Sequence, residues 1–258
     1  MLTVCHDGAV RVGLLHPGEM GAAIGGLLVE QGHEVLWRPQ GRSEETARRA
    51  AAAGLTSADG FDEAEVILSV CPPHAALDVA RSLQGTPALV IDANAVSPAT
   101  ARLIGELIGD RWVDGGIVGP PPDREGTTRL YLSGPHAMEA LLLFTGTRLE
   151  PVVLGGSPVA ASALKMAYAA WTKGSAALLL AALDSARATG VEEALRAEWT
   201  RSQPQLAARW QAASESADAK GWRWVGEMHE IASTFAEAGL PSGFHEAAAE
   251  MFERAARR

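Results

Sequence analysis

The pattern of apolar and polar positions changes once along the chain, near residue 156. Before that point, short apolar runs alternate with alanine-rich amphipathic stretches, and the runs include VRVGLL, EVILSV and ALVIDA. Short strands separated by helices of about ten residues are typical of right-handed βαβ crossovers in a largely parallel sheet covered on both faces. Beyond it lie only long alanine- and leucine-rich helical segments. We therefore predict an α/β domain with a doubly wound, mostly parallel sheet over residues 1–156 and an all-α domain over residues 157–258.

Helix boundaries have signals of their own in this sequence. Ser97 and Pro98 take the N-cap and first helical positions of the helix predicted from SPATARLIGELIG. The first helix of the second domain should run about 30 residues, from Val159 to about Thr189. Later breaks are expected at residues that interrupt helices, which are Gly190, Pro204, Gly221 and the stretch GLPSG.

Composition limits the classes of function that fit. The chain has 47% hydrophobic residues and a net charge of −9, so we expect a globular protein without general attraction to nucleic acid or to an anionic membrane. No apolar run approaches the roughly 20 residues of a membrane span, and the first residues do not resemble a secretory signal. We expect a cytoplasmic protein in which Cys5 and Cys71 are reduced. The histidines show no paired metal-ligand spacing, so no catalytic metal is expected.

The turn after the first predicted strand reads VGLLHPGEMG. In the nucleotide-binding turn G-x-G-x-x-G, the second glycine lets the backbone approach a pyrophosphate and the third lets the helix pack closely on the strand. Gly18 and Gly21 stand at these two positions. His16 replaces the first glycine and is followed by Pro17, which suits a turn that needs no positive φ. An ordinary strand-to-helix turn is the alternative, but the position between the first strand and the first helix favours a dinucleotide site.

The end of the second predicted strand bears on coenzyme selectivity. An NAD-selective site places a carboxylate there for the ribose 2′-hydroxyl, whereas the 2′-phosphate of NADP calls for arginine and hydroxyl partners. The sequence VLWRPQGRS has no acid and offers Arg38, Arg42 and Ser43. We therefore expect NADP(H) rather than NAD(H). The alternative is that the two arginines are solvated loop charges.

Five motifs in order resemble those of the β-hydroxyacid dehydrogenase family, which includes 3-hydroxyisobutyrate and 6-phosphogluconate dehydrogenases. They are the turn above, SVCPP, DANAVSP, VDGGIVGPP and ALKMAYAAWTKG. The C-terminal part is similar to that of a branch with a distinctive helical domain. The resemblance implies an N-terminal Rossmann domain, a long interdomain helix, and an all-helical domain that forms an interlocked homodimer. It also implies an active site between the domains that acts on a small molecule.

The resemblance assigns roles to particular residues. Lys165 takes the position of the catalytic lysine, and the substrate-carboxylate loop is matched by Val118, Gly119 and Pro120. Residues of the first turn and of the loops after the third and fourth strands lie along the coenzyme, and these are Leu15, His16, Pro17, Gly18, Glu19, Met20, Gly21, Val70, Cys71, Pro72, Pro73 and Asn94.

Three departures from the family pattern concern the substrate. The loop lacks the serine hydroxyl that would bind a carboxylate, because valine stands there at position 118. The asparagine expected one helical turn after the lysine is replaced, with Tyr168 and Ala169 in those places. A later Lys-Asp pair appears as His229 and Glu230.

The sequence around Lys165 indicates a catalytic lysine independently of the family resemblance. It lies in the apolar segment VAASALKMAYAAW, and only three of the 22 basic residues are lysines. A desolvated lysine has a lowered pKa and can give or take a proton, which arginine cannot. Tyr168, three residues on, shares its helix face. The alternatives are a lysine that extends to water and a tyrosine that packs in the core.

Trp224 and His229 are further substrate candidates, for which core or interface packing is the alternative. The leading hypothesis is an NADP(H)-dependent oxidoreductase that transfers a hydride to or from a small carbonyl or β-hydroxyacid-like compound, with Lys165 as general acid or base. An imine reductase of similar architecture is the second hypothesis. A non-catalytic NADPH-binding sensor is the third.

Overall fold

A computed structural model describes residues 8–256 of the chain, so Cys5 lies outside the described residues. The chain divides into two compact units, residues 1–165 and residues 166–258. The first unit contains eight strands, which are β1 (Arg11–Leu14), β2 (Glu34–Trp37), β3 (Thr56–Ser57), β4 (Val66–Ser69), β5 (Leu89–Asp92), β6 (Trp112–Val118), β7 (Thr128–Ser133) and β8 (Leu149–Val153).

Helices cover both faces of this sheet and continue into the second unit. Those between strands are α1 (Glu19–Glu30), α2 (Glu44–Ala52), α3 (Ala76–Ser82), α4 (Pro98–Ile108) and α5 (Ala137–Phe144). The long helix α6 (Ala160–Ala188) begins in the first unit and ends in the second. The rest of the second unit contains α7 (Glu192–Ser202), α8 (Leu206–Glu237) and α9 (Gly243–Ala256).

The eight strands form one sheet in the order β3-β2-β1-β4-β5-β6-β7-β8. Every neighbouring pair is parallel except β6 and β7, which are antiparallel. The chain runs outward from β1 to β3 and then from β4 to β8, so the strand order reverses between β1 and β4. The predicted fold class, a doubly wound and mostly parallel sheet followed by helices, is confirmed.

Alternate residues of β6 and β7 point to opposite faces of the sheet. Leu130 and Leu132 are fully buried in the main apolar core, together with Phe144 of α5. The opposite face carries Asp114 and Ser133, which are also buried but polar. This polar face is where α6 begins.

Several local predictions hold in the structure and others do not. Ser97 caps α4, since its hydroxyl accepts a hydrogen bond from the Thr100 N–H. The predicted break at Gly221 is wrong, because α8 continues through it. A Cβ at that position would lie 3.5 Å from the Phe252 carbonyl oxygen of α9, an ordinary van der Waals contact, so the helices pack closely here without requiring a glycine. The two-residue strand β3 and the antiparallel direction of β7 were not predicted.

Helix α6 is the one described helix that is long and apolar enough to cross a membrane, by length and composition alone. The sequence prediction of no apolar run of membrane-spanning length did not anticipate this helix. The hydroxyl of Ser162 and the amine of Lys165, in its first turns, are hydrogen-bonded to the sheet. These bonds fix the start of α6 to the first unit.

Candidate functional site

The predicted coenzyme residues of the first unit lie at one edge of the sheet. Strands β1, β2, β4 and β5 are parallel, so the segments that follow them all emerge at the carboxyl edge. In open α/β sheets, ligands bind in the crevice at this edge, where the strand order reverses. Here the reversal falls between β1 and β4, next to the turn that starts at Leu15.

The turn from β1 to α1 is shaped for close approach. A Cβ on Gly21 would lie 2.2 Å from the His16 carbonyl oxygen, so only glycine fits, whereas a Cβ on Gly18 would meet nothing within 4 Å. Neither His16 nor Pro17 has a positive φ, as the sequence requires of a turn without its first glycine. The first helical hydrogen bond runs from the Ala22 N–H to the Gly18 carbonyl. The preceding N–H groups of α1 therefore have no helical acceptor and suit an anion.

His16 is held neutral beside this turn. Burial, with a smaller contribution from Arg42, lowers the pKa of His16 from 6.5 to about 4. Its Nδ1 is buried without a hydrogen-bond partner among the described residues. Arg42 reaches across from the loop after β2 and donates from Nη2 to the Leu15 carbonyl, at 3.1 Å. Positive charge at this corner therefore comes from Arg42 and not from the histidine.

The other two residues predicted to bind a 2′-phosphate lie in the same loop. Arg38 is exposed directly after β2. Ser43 is the N-cap of α2, where its hydroxyl accepts a hydrogen bond from the Thr46 N–H. The loop that follows β2 thus brings two arginines to the corner beside the first turn, and it carries no acid between residues 38 and 43.

The side chain of Asn94 is hydrogen-bonded to residues at the end of β4 and in the loop that follows it. Its Oδ1 accepts from the Cys71 N–H at 2.5 Å, and its Nδ2 donates to the Ser69 hydroxyl at 3.0 Å. Asn94 is 2% exposed, so both ends of its amide are used inside the protein. Its geometry suits a residue that shapes the loop of Val70, Cys71, Pro72 and Pro73.

Cys71 itself is a free thiol, as predicted. Burial raises the pKa of the Cys71 thiol to about 12, with a smaller contribution from Asp92. The thiol therefore stays protonated and packs as a small apolar side chain.

Two buried aspartates lie side by side in the sheet, since Asp92 of β5 is in register with Asp114 of β6. Burial, and then the charge of Asp114, raises the pKa of Asp92 to about 8. Asp114 also has a raised pKa, for which burial is the main cause. Hydrogen bonds to its carboxylate from Ser162 and Ser133 oppose that effect. Asp92 is therefore the member of the pair that keeps its proton at neutral pH.

The start of α6 is clamped to β6, and this clamp positions Lys165. Asp114 accepts hydrogen bonds from the Ser162 hydroxyl at 2.5 Å and from the Ser162 N–H at 2.9 Å. Ser133 donates to the same carboxylate and accepts from the Ala161 N–H, each at 2.9 Å. A Cβ on Gly116 would lie 2.7 Å from the Ala161 carbonyl oxygen, so the helix can only cross the strand at a glycine.

Lys165 lies one turn beyond this clamp. Its Nζ donates to the Ile117 carbonyl at 2.8 Å. Burial lowers the pKa of Lys165 from 10.5 to about 8. The lowered pKa agrees with the desolvated amine expected from the sequence, and proton transfer by Lys165 stays a prediction.

The three residues predicted to form the substrate loop differ in their structural roles. Val118 is the last residue of β6 and is 3% exposed. Gly119 has φ of 126°, and a Cβ there would lie 2.3 Å from the Thr127 carbonyl oxygen, so the turn requires glycine. The Pro120 carbonyl accepts a hydrogen bond from the Thr128 hydroxyl at 2.5 Å. These residues begin the β6–β7 hairpin loop, directly after the strand whose Ile117 carbonyl accepts the hydrogen bond from Lys165.

The remaining candidates lie in the second unit. Tyr168 is 47% exposed on α6, and His229 is exposed on α8. Trp224 packs edge-on against Phe252 at a ring separation of 5.0 Å, with the Lys173 amine 5.6 Å from its ring centre. Lys173 is also ion-paired with Glu227. The tryptophan thus has a packing role, whereas the tyrosine and the histidine are accessible.

Sequence reasoning missed the clamp of Asp114, Ser133 and Ser162. The motif VDGGIVGPP contained the aspartate, but the partners are 19 and 48 residues away, and the strand register is needed to bring them together. Within residues 8–256, no group of three or more His, Cys, Asp or Glu side chains could hold a metal ion.

Two family models match parts of the chain. Residues 11–96 match a model described as NADP oxidoreductase coenzyme F420-dependent, and residues 186–255 match a domain of unknown function, DUF1932. An uncharacterized 28.5 kDa protein of Methanothermus fervidus is 28% identical over 193 residues, which are 72% of this chain and 74% of that protein. The family model that matches residues 11–96 covers all of the predicted coenzyme residues.

Solved structures are similar over nearly the whole chain. The conserved protein MTH1747, of unknown function and described as similar to 3-hydroxyacid dehydrogenases, is 28% identical with a TM-score of 0.69, covering 95% of this chain and 96% of its own. The 3-hydroxyisobutyrate dehydrogenase of Mycobacterium tuberculosis is 17% identical, with a TM-score of 0.67 and coverage of 97% and 94%. The reductive aminase of Aspergillus terreus, solved with NADPH, is 16% identical, with a TM-score of 0.58 and the same coverage.

These comparisons confirm the predicted resemblance. The chain has an NADP-binding oxidoreductase fold similar to that of hydroxyacid dehydrogenases and of a reductive aminase.

Proposed function

We propose that the protein is an NADP(H)-dependent oxidoreductase that transfers a hydride to or from a small carbonyl or β-hydroxyacid-like substrate, with Lys165 as general acid or base. The observation that carries the proposal is the amine of Lys165. It is partly buried, its pKa is lowered to about 8, and the Asp114 clamp holds its helix on the sheet that also presents the coenzyme turn.

The residues at the carboxyl edge fit a dinucleotide. Gly18 leaves open space at the amino end of α1, where a pyrophosphate would lie. Arg38 and Arg42 flank this corner, and guanidinium groups bind phosphate as paired donors. Asn94 would act on the coenzyme through the loop it holds. When bound, the nicotinamide supplies or accepts the hydride.

Lys165 moves the proton that accompanies the hydride. When a carbonyl is reduced, negative charge develops on its oxygen, and a protonated amine can donate to it. In the oxidative direction the neutral amine takes the hydroxyl proton. A pKa near 8 keeps both forms populated close to neutral pH, and the Ile117 carbonyl holds the amine in one position between turnovers.

The Lys165→Met variant tests this role. It should bind NADPH with wild-type affinity and lose turnover by about 10²–10⁴-fold, the usual contribution of a positioned proton donor. Lys220→Met, at an exposed position on α8, is the matched control. Unchanged turnover in Lys165→Met would remove the lysine from the mechanism.

Coenzyme selectivity is tested by fluorescence titration of the full chain with NADPH and NADH. We expect tighter binding of NADPH, because only its 2′-phosphate can pair with Arg38 and Arg42. In Arg42→Leu the preference should shrink. Equal or tighter binding of NADH by the wild-type protein would contradict the selectivity.

Reduction of a C=N bond is the second candidate function. The likeness to a reductive aminase, which concerns the fold alone at 16% identity, and the absence of a hydroxyl at Val118 favour it. A panel of β-hydroxyacids and cyclic imines separates the two reactions. Binding of NADPH without hydride transfer to either class would favour a coenzyme sensor.

We further propose that the protein is a cytoplasmic homodimer that assembles through its helical unit. Trp171 and Leu178 of α6 are 67% and 71% exposed, which is unusual for large apolar side chains on one helix. A second copy would bury them. Sedimentation of wild-type protein and of Leu178→Glu should show a dimer and a monomer, respectively.

A further inference from the structure

Lys165 packs against one face of β6, which we call the lysine face. Asp114, Gly116 and Val118 are spaced by two along the strand and therefore share a face. Asp114 bonds to Ser162 of α6, and a Cβ on Gly116 would lie 3.1 Å from the Lys165 Cβ. Val118 thus continues the lysine face toward the end of the strand.

The register of the antiparallel partner β7 extends this face. Ser133, Tyr131 and Arg129 lie opposite Asp114, Gly116 and Val118, respectively. Directly opposite residues point to the same side of a sheet, and the bond from Ser133 to Asp114 shows that they do here. Arg129 is therefore on the lysine face, one cross-strand pair beyond Tyr131.

Arg129 differs from the other partly buried arginines. Arg111 pairs with Glu139, Arg148 with Glu30 and Arg196 with Glu192. Arg129 is half-buried, and its nearest hydrogen-bond acceptor is the Gly126 carbonyl at 3.5 Å.

No acid pairs with Arg129 within the part of the chain that the structure describes. Glu150, its exposed neighbour in register on β8, is not paired with it there. A partly desolvated cation without an acid partner is costly, and its planar fork of donors matches a carboxylate.

Apart from Arg129, the hairpin has few hydrogen-bond donors for an anion. Val118 has no hydroxyl, and the three residues after Gly119 are prolines, which have no N–H to donate. We infer that Arg129 binds a carboxylate of the substrate, in place of the hydroxyl that is absent at Val118. This inference rests on the proposed function, and it makes the substrate an anion whose reacting carbon lies between Arg129 and Lys165.

Binding of malonate, an unreactive dicarboxylate, to the NADPH-saturated full chain tests the inference by calorimetry. Malonate should bind to the wild-type protein and about 10- to 100-fold more weakly to Arg129→Leu, which loses charge-assisted hydrogen bonds. Arg124→Leu, in the same hairpin but exposed, is the charge-matched control and should bind as the wild type does. Arg129→Lys keeps the charge and should be intermediate.

A kinetic comparison of an acid with its methyl ester tests the same contact with a compound that can react. Wild-type protein should prefer 3-hydroxypropanoate to its methyl ester in kcat/KM, and Arg129→Leu should lose that preference, because the acid and the ester then differ in no contact with residue 129. The inference is overturned if the wild type binds no malonate, or if Arg129→Leu binds it as tightly as the wild type.

NADPH titration of each variant separates this failure from a failure of the proposed function. If the wild type binds NADPH but not malonate, only the inference fails. If it does not bind NADPH, the proposed function fails as well.

Discussion

Replacing Asp92 by asparagine should stabilise the folded chain by an amount that grows as the pH rises from 5 to 7. The pKa of Asp92 is raised from 3.8 to about 8, chiefly by burial. In the unfolded chain this carboxyl ionises near pH 4, whereas in the folded protein it keeps its proton until about pH 8. Between these values unfolding releases a proton, so the free energy of unfolding falls as the pH rises.

The size of the effect follows from the two pKa values. Each pH unit inside the window costs the wild-type protein up to about 1.4 kcal/mol, so the step from pH 5 to pH 7 costs up to about 3 kcal/mol. Asparagine does not titrate, and this contribution vanishes in the variant. Because Asp92 is already neutral in this range, an amide leaves the field at Asp114 almost unchanged.

Urea denaturation followed by far-UV circular dichroism at pH 5, 6, 7 and 8 measures the difference. The gap between Asp92→Asn and the wild type should widen in favour of the variant up to pH 8 and then level off. Asp78→Asn, which removes an exposed carboxylate on α3, controls for the loss of one acidic residue. If the two stability curves run parallel from pH 5 to pH 8, Asp92 is ionised in the folded protein and the reasoning is refuted.

Two further predictions concern the coenzyme turn and the lysine. Gly21→Ala places a Cβ 2.2 Å from the His16 carbonyl and should lower the free energy of unfolding by about 1–3 kcal/mol. Gly18→Ala should leave stability unchanged and weaken NADPH binding about 10-fold or more; unchanged binding would mean that the pyrophosphate lies elsewhere. With a Lys165 pKa of about 8, kcat/KM for reduction should fall above pH 8 and that for oxidation should rise up to pH 8. Profiles that are flat from pH 6 to pH 9 would contradict proton transfer by the lysine.

Local signals in the sequence predicted most of the fold. Apart from β3, the strands and helices of the first unit follow from apolar periodicity, and the Ser97–Pro98 pair marked the start of α4 because a cap needs only neighbouring residues. Gly221 misled the prediction, since its low helix propensity of about 1 kcal/mol is outweighed by the close packing of α8 against α9. The direction of β7 depends on pairing across a hairpin, and periodicity alone does not contain it.

Some residues of the candidate site could be predicted from the sequence and others could not. Lys165 and the glycines of the first turn could be found because their roles depend on neighbours in the sequence. Asp114, Ser133 and Arg129 could not, because each acquires its role from the register of β6 against β7. The family resemblance placed Asn94 along the coenzyme, and this stays a prediction; the structure shows both ends of its amide bonded inside the protein.

The histidine in the first turn has a consequence for how the protein behaves as cellular acidity varies. An imidazole next to a phosphate would ordinarily make affinity a gauge of proton concentration, since it gains charge just below neutrality. His16 has lost that property, because its pKa lies near 4 while arginine at position 42 carries a permanent charge. The corner therefore presents the same charge to an incoming phosphate from neutral pH down to about pH 5, and protonation of this imidazole does not assist the first encounter with the dinucleotide.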